Sequence, residues 1–521
     1  MSDLGLGLSN AIDSVTDSLG HAVGEVPGIL DNVGQSVGGV VGDAAGLIPP
    51  QGPFQQCIAS ALDNNSALYA FPQDILEELT NNHPYNLDWP WTPAAIAYPR
   101  NAIDVSKLVV CASEYGIAVQ GKSGGHNYLN FGYGGQNGAL ALDLQHMNDF
   151  SYNPADQTVT FGPGNKLADL DVQLAAIDRV MAYGVVGDIG TGGHIAIGGL
   201  GPLSRLLGLA SDQVVSVQCV LADGSIVTAS EYEHPDLFFA VRGAAWSFCI
   251  MTEIQMQTSP PPSAVTQFQY NITVGRIADL ADTFKKWQVL IADPGLSRYF
   301  AATLTLLEGV MIFAGTFFGD DAAFNQLNLD LIPFGQEHLG ITVTSRVVTG
   351  LIHSLSDLIY DIGGSIPAHF YSTDLKYTRQ TLLSDAAVDQ LFQYLESADK
   401  GTLIWFIVWD LNGGRIEEIP QSATAYWHRD AIHFQQGYVV NPLGPVSPVS
   451  RQFLIGLNQL CRQLRPGIDE SAYPGYVDPF LQDPLTAYWG GNVPRLIQIK
   501  GIYDPRNTFR NPQSIPPPPG V

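Results

Sequence analysis

Between residues 102 and 116 the apolar positions repeat at the spacing of one helix face. Val105, Leu108, Val109 and Ala112 fall at i, i+3, i+4 and i+7, and Gly116 can close the helix. The rhythm then changes. A short β-branched run through Ile117-Ala-Val-Gln120 ends in the glycine turn Gly121-Lys-Ser-Gly-Gly125, with His126 directly behind it. Further on, Val214 to Ala222 and Ile226 to Ala229, separated by Asp223-Gly224, predict a β-hairpin with an Asp-Gly turn. Leu403 to Gly414 reads as a buried strand ending in a turn, and by period-two alternation Asp410 shares a face with Ile404, Phe406 and Val408. The Pro-rich break Ser259-Pro-Pro-Pro-Ser263 marks a boundary, beyond which strands and helices alternate to about Gly467. Residues 1–50 differ. Ile12, Val15, Leu19, Val23 and Val26 keep three-to-four-residue steps, but many glycines oppose a stable helix, so this segment reads as a flexible or amphipathic arm.

The glycine turn carries the first chemistry. Glycines bring backbone N–H groups close to an anionic ligand, and His126 beside them offers a ring nitrogen for bonding. Helix, strand, turn and histidine together read as a cofactor-binding unit. A second glycine-rich stretch, Gly184 to Gly201, can line the same cofactor or simply make tight turns; the pattern leaves both open. Two familiar motifs overlap the first turn. Gly116 to Ser123 matches the phosphate-loop pattern, and Gly121-Lys-Ser-Gly-Gly125 matches the hydrolase elbow. Each needs a helix directly behind it, and Gly124-Gly-His-Asn-Tyr-Leu-Asn-Phe-Gly132 is no helix start. The dinucleotide pattern G-x-G-x-x-G and the H-E-x-x-H and C-x-x-C metal spacings are absent, so no metal is expected.

With 521 residues, 45% hydrophobic and 14% charged, the chain can bury a large core in two or three domains. A net charge of −26, from 50 acidic and 24 basic residues, excludes an electrostatic nucleic-acid or anionic-membrane partner and suits solubility at mildly acidic pH. No run of about 18 apolar residues suggests a membrane span. The five cysteines (57, 111, 219, 249 and 461) leave at least one unpaired. Asn64-Asn-Ser66 and Asn271-Ile-Thr273 would accept glycans in a secreted chain, although no signal peptide is evident. An acid at the end of an apolar strand face is costly unless paired. Asp410 is therefore either an acceptor for turn amides or a functional carboxylate.

Taken in order, several blocks resemble the berberine-bridge-enzyme-like branch of the vanillyl-alcohol-oxidase/PCMH flavoprotein superfamily. They are Tyr98-Pro-Arg-Asn-Ala-Ile-Asp-Val105, Lys122-Ser-Gly-Gly-His126, Gly193-His-Ile-Ala-Ile-Gly-Gly199, Leu221-Ala-Asp-Gly224, Asp236-Leu-Phe-Phe-Ala-Val-Arg-Gly243, Tyr503-Asp-Pro-Arg-Asn507 and Pro512-Gln-Ser-Ile515. The resemblance runs from about Gln51 to Ile515. It implies an α+β fold: an FAD-binding domain of two α+β lobes split in sequence, with an inserted substrate domain of antiparallel sheet covered by helices. The implied boundaries are an arm over 1–50, FAD domain over 51–258, substrate domain over 259–470 and a return to the FAD domain over 471–521. Carried over by position, the cofactor set is His126, Lys122, Ser123, Gly124, Gly125, Asn127, Val186, Gly187, Gly193, His194, Gly198, Ile250, Tyr488 and Asn492. His126 is implied to bond covalently to the flavin 8α carbon. Relatives with a second link carry cysteine where Val186 stands, so this chain resembles a monocovalent member. Cys57 and Cys111 match a disulfide that relatives carry, which implies secretion into an oxidising compartment.

The family's Arg-Gly-Ala-Gly-Gly-Asn-Phe-Gly stretch is here Arg242-Gly-Ala-Ala-Trp246-Ser-Phe-Cys249, which puts bulk near the expected cofactor path. Asp410 matches the acid of fungal oligosaccharide oxidases in this branch, and Tyr476 matches their active-site tyrosine. A phenol with a pKa of about 10 is a poor base at neutral pH, but a neighbouring carboxylate can accept its proton and let it deprotonate a substrate hydroxyl. The resemblance thus implies an FAD-linked oxidase that takes hydride from an alcohol or phenolic carbon skeleton to flavin N5 and passes electrons to O2, giving H2O2. Its partners are then a small-molecule substrate and O2. The alternatives are an oligosaccharide oxidase and a flavin-binding protein of weak redox turnover. Oligomeric state is not legible.

Overall fold

In a computed structural model, residues 52–72, 84–273, 276–327, 340–347, 367–468 and 470–520 are described. The arm over 1–50 lies outside them. Asn101 caps the helix Ala102–Glu114, its Oδ1 accepting from the amides of Ile103 (2.9 Å) and Asp104 (3.0 Å). The helix buries Val105, Leu108, Val109 and Ala112, the face its periodicity marks, and the chain turns away at Gly116 with φ of 66°. It packs on a four-stranded sheet in the order Tyr69–Ala70, Ala95–Ala97, Leu140–Asp143, Val119–Lys122. The last three strands are parallel, with Val119 opposite Leu140 and Lys122 opposite Asp143. Behind Ser123 the chain makes bends and turns rather than a helix, unlike a phosphate loop or a hydrolase elbow.

A second, antiparallel sheet has five strands, ordered Phe150–Asn153, Thr158–Phe161, Ile250–Gln257, Val214–Val220, Ile226–Ser230. It contains the expected hairpin, but the first strand stops at Val220 rather than Ala222. The Leu221 amide bonds the Ser225 carbonyl at 2.9 Å and Gly224 takes φ of 84°, so the turn occupies Leu221 to Ser225. The third sheet is antiparallel with seven strands, ordered Gly340–Val347, Thr266–Thr273, Val310–Phe317, Phe300–Leu307, Ile404–Leu411, His433–Asn441, His369–Tyr377. One face packs its Trp405, Ile407 and Trp409 under the helices Ala281–Ala292, Asp385–Ser397 and Pro448–Gln463. Phe406 and Val408, on the other face, pack with Phe370 and Tyr438. This arrangement is the α+β fold expected.

The chain ends by returning to the first lobes. Tyr488, Trp489, Leu496 and Ile499 join the core of the five-stranded sheet. Lys500 is fully buried; its Nζ reaches Asp504 Oδ2 (2.6 Å) and the carbonyls of Ser247 (2.5 Å) and Phe509 (2.7 Å). A buried ammonium needs such a full set of acceptors. Cys57 and Cys111 form the expected disulfide, joining the helix Pro53–Ala61 to the helix Ala102–Glu114, while Cys219, Cys249 and Cys461 are free and buried. Among the described residues no helix is long and apolar enough to cross a membrane.

Burial sets a pH limit on this fold. His433 stacks on Tyr377 at 4.3 Å, and loss of water pushes its imidazole down to about 3. A base whose folded pKa lies below its unfolded value of 6.5 contributes full stability above pH 6.5 and loses it as pH falls toward 3. Between pH 7 and 5 this group alone removes about 2 kcal/mol. In urea titrations, His433→Phe is expected to lose that much less than the parent over the interval. Equal losses would mean that the imidazole is not neutral in the folded protein.

Candidate active site

A cavity of about 360 Å³ opens where the first two lobes meet the seven-stranded sheet. Two turns and one strand-entry segment form one wall: Gln120 to Tyr128, residues between Gly184 and Ser204, and Ala245, Trp246 and Cys249 to Met251. The sheet supplies Ala301 to Thr303, Ala314 to Thr316, Asp410 to Asn412 and Tyr438, and the returning tail supplies Tyr473, Gly475 and Tyr476.

The two turns touch backbone to backbone. A Cβ on Gly190 would lie 1.9 Å from the Gly124 nitrogen and 2.1 Å from Ser123 Oγ, so only glycine allows the contact. Ser123 Oγ ties them further, donating to the Pro163 carbonyl (2.5 Å) and accepting from the Gly192 amide (3.3 Å). Lys122 is occupied in a buried ion pair, its Nζ 2.7 Å from Asp143 Oδ2 on the adjacent strand. Asn127 Oδ1 accepts from the amides of Leu129 (3.0 Å) and Phe131 (3.1 Å), which shapes the turn after His126. The His126 ring packs against Tyr85 at 4.6 Å, and burial pushes its pKa down to about 4. The imidazole is therefore neutral, with a lone pair available for bonding to an electrophilic carbon.

Not every residue expected at the cofactor lines the cavity. Gly124, Gly125, His126, Asn127, Val186, Gly193, His194 and Ile250 do, together with Lys122 and Ser123. His194 also has a structural bond, its Nε2 accepting from the Gly184 amide at 3.0 Å. Gly187, Gly198, Tyr488 and Asn492 lie outside the wall. A Cβ on Gly198 would meet the Tyr426 ring at 2.8 Å, and one on Gly187 would meet Ala168 at 3.1 Å. The Tyr488 hydroxyl donates to Gln513 (3.0 Å), and Asn492 Nδ2 reaches the carbonyls of Gln421, Thr424 and Ala425. These four residues contact neighbouring segments beside that wall. Trp246 does enter the wall, edge-on between Phe131 (5.7 Å) and Trp489 (6.2 Å).

On the opposite side the structure brings together Asp410 and Tyr476. The Tyr476 hydroxyl donates to Asp410 Oδ2 at 3.1 Å. Buried Asp374 holds the tail that carries the tyrosine, its Oδ2 accepting from the Tyr473 amide at 2.6 Å, and desolvation pushes this carboxyl well above the usual range. Sequence reasoning missed a neighbouring cluster. Tyr128 stacks on Tyr476 (6.3 Å, 13°), its hydroxyl bonds that of Tyr438, and Gln436 Nε2 donates to both (2.9 and 2.8 Å). Only the i, i+2 spacing of Gln436 and Tyr438 on one strand hinted at a shared face.

A glycine cradle, a neutral histidine in its wall and a cleft facing a carboxylate–phenol pair fit a large planar cofactor with an anionic arm. Family comparison gives the same reading. Residues 93–230 match the family described as FAD binding domain, and residues 472–516 match berberine and berberine like. The FAD-linked oxidoreductase sorD of Penicillium rubens is 35% identical over 467 residues, covering 89% of this chain and 98% of that relative. A chitooligosaccharide oxidase of Gibberella zeae is 31% identical over 465 residues, covering 83% and 89%. The solved structure of glucooligosaccharide oxidase from Acremonium strictum, described with a 6-S-cysteinyl, 8α-N1-histidyl FAD, superposes with a TM-score of 0.78. It is 27% identical, covering 90% of this chain and all of that one.

Gly193 tests the cradle. It lines the cavity, and a Cβ there would meet nothing within 4 Å. Gly193→Ala is expected to unfold thermally like the parent yet weaken the apoprotein's FAD affinity about tenfold, an overpacking cost of about 1–3 kcal/mol. Unchanged affinity by fluorescence titration would place the cofactor elsewhere.

Proposed function

The chain belongs to the berberine-bridge-enzyme-like FAD-linked oxidoreductases, and from that premise we propose that this oxidase acts on an alcohol or phenolic carbon skeleton, with Tyr476 as base. The observation that carries the reading is the 3.1 Å hydrogen bond from Tyr476 to Asp410, on the cavity wall opposite the glycine cradle. Tyr476 comes from the returning tail and Asp410 from the end of an inserted-sheet strand, so the pair exists only where these parts meet. The phenol takes a proton from the substrate hydroxyl and gives its own to Asp410 Oδ2. Neither group need carry an unfavourable charge alone.

FAD, when bound, supplies the two-electron acceptor for the substrate carbon and passes the electrons to O2 as H2O2. The residues that would hold it are the turn Ser123 to Asn127, Val186, Gly193 and Ile250. His126 is the point of covalent attachment in this reading, and Val186, a hydrocarbon, offers no second one. We read the boundaries near residues 259 and 471 as those of an inserted substrate domain, in keeping with the switch between sheets after Gln257. The Cys57–Cys111 disulfide and the exposed Asn64 of a glycan acceptor pattern support secretion.

The cavity favours a flat, apolar substrate. Tyr85, Tyr128, Tyr438 and Tyr473 face it with Ala301, Ala302 and Ala314, and the Tyr128 and Tyr438 hydroxyls are spent on each other and on Gln436. An oligosaccharide oxidase is the second reading, supported by the likeness to the chitooligosaccharide oxidase and by the surviving Asp410–Tyr476 pair. Peroxide release measured over aromatic alcohols, polyketide-like phenols and oligosaccharides separates them. Silence over all three would favour a binder or cyclase.

Two variants check the chemistry. Tyr476→Phe is expected to slow flavin reduction by about 10²-fold or more while leaving the flavin spectrum nearly unchanged. A variant reduced at the parent rate removes the phenol from the reaction. The parent should stay yellow after acid precipitation, whereas His126→Ala should release free FAD into the supernatant. A flavin that stays bound to the His126→Ala protein would point to another attachment.

A further inference from the structure

Among the described residues, the buried cation Arg205 forms no ion pair with a carboxylate. It is 4% exposed, on the short helix Ser204–Leu207 that follows the second glycine-rich turn. Among the described residues its hydrogen bonds all go to main-chain carbonyls across the seam. Nε reaches the Phe300 carbonyl at 2.7 Å, Nη1 that of Asn412, and Nη2 those of Leu296 (3.4 Å) and Ser297 (3.2 Å). Glu417, whose charge acts on Arg205, is itself paired with Arg379 at 2.5 Å. Burial brings the guanidinium down only to about 10, so it remains charged at neutral pH.

Those carbonyls are not arbitrary anchors. Phe300 begins the strand whose Thr303 sits opposite Asp410 in the sheet register. Asn412 follows Asp410 by two residues and returns a bond to it, Nδ2 donating to the Asp410 carbonyl at 3.0 Å. Arg205 itself comes directly after Ser204, which lines the opposite, cofactor-side wall of the cavity. One planar fork thus connects the two walls.

We propose that Arg205 is the positioning residue for Asp410: its guanidinium latches the turn after the carboxylate to the cofactor-side wall and so keeps Asp410 within reach of Tyr476. This rests on the reading of Asp410 and Tyr476 as the proton-accepting pair. Lysine keeps the charge but cannot span four carbonyls in a plane, so Arg205→Lys loosens the latch without removing the cation.

The test compares holoenzymes of the parent, Arg205→Lys, Asp410→Asn and the double variant. In Arg205→Lys, amide hydrogen exchange over residues 408–416 should rise about tenfold, the equivalent of one lost charged hydrogen bond. Exchange over 119–127 should not change, and a crystal structure should show the Tyr476–Asp410 contact lengthened beyond about 3.5 Å. Parent-like exchange and an intact contact overturn the proposal, and neither measurement needs a substrate. Flavin reduction is then followed with 4-hydroxybenzyl alcohol and with cellobiose. With a probe that reduces the parent, Arg205→Lys should cost about tenfold in rate with little change in KM, and nothing further on top of Asp410→Asn. Equal losses in both backgrounds make Arg205 merely structural and also overturn it. Should Asp410→Asn keep the parent rate while exchange over 408–416 still rises in Arg205→Lys, the base-pair reading fails and the latch survives.

Discussion

Where Gly124 and Gly190 meet, two turns come closer than any side chain permits, and much of the active region depends on that approach. With a methyl group at either position, the backbones would have to part by more than an ångström. The Ser123 bridge to Pro163 and Gly192 would open with them. This part of the cavity wall is thus built from closely packed main chain, with little side-chain bulk between the two turns. His126 follows directly on one of these turns and is set in place by it. The position of the imidazole is a consequence of a steric requirement several residues away.

The sheet opposite solves a different problem. The strand Ile404–Leu411 is covered on both faces, by helices over Trp405, Ile407 and Trp409 and by the aromatic cluster over Phe406 and Val408. Asp410 stands beside the strand's last residue, half-buried, with a phenol to bond, where a carboxylate costs less than at the covered centre.

How much of this was legible depended on range in sequence. The helix Ala102–Glu114 and the hairpin could be read because periodicity and turn chemistry are local. The disulfide and the meeting of Asp410 with Tyr476, 66 residues apart, came from resemblance and not from pattern. Gly198, Tyr488 and Asn492 were carried over by position from the resemblance, and their contacts with Tyr426, Gln513 and the 421–425 loop are visible only in three dimensions. The cluster of Tyr128, Gln436 and Tyr438 joins segments 308 residues apart, and the local pattern shows only that Gln436 and Tyr438 share a face. Arg205 was equally silent, since its partners are carbonyls, which every residue has.

The buried bonds of Lys500 have a consequence in time. Its ammonium closes on Ser247 and Phe509, and Tyr476 arrives only with the same last stretch of chain. A ribosome that has released the glycine turns and even the whole seven-stranded sheet has therefore not yet delivered a finished cavity wall. The early lobes must wait, compact but incomplete, until the final residues emerge and fold back over them. A nascent chain that stalls late in synthesis would be large and carry the glycine cradle, yet lack the phenol and the buried ammonium that complete the wall.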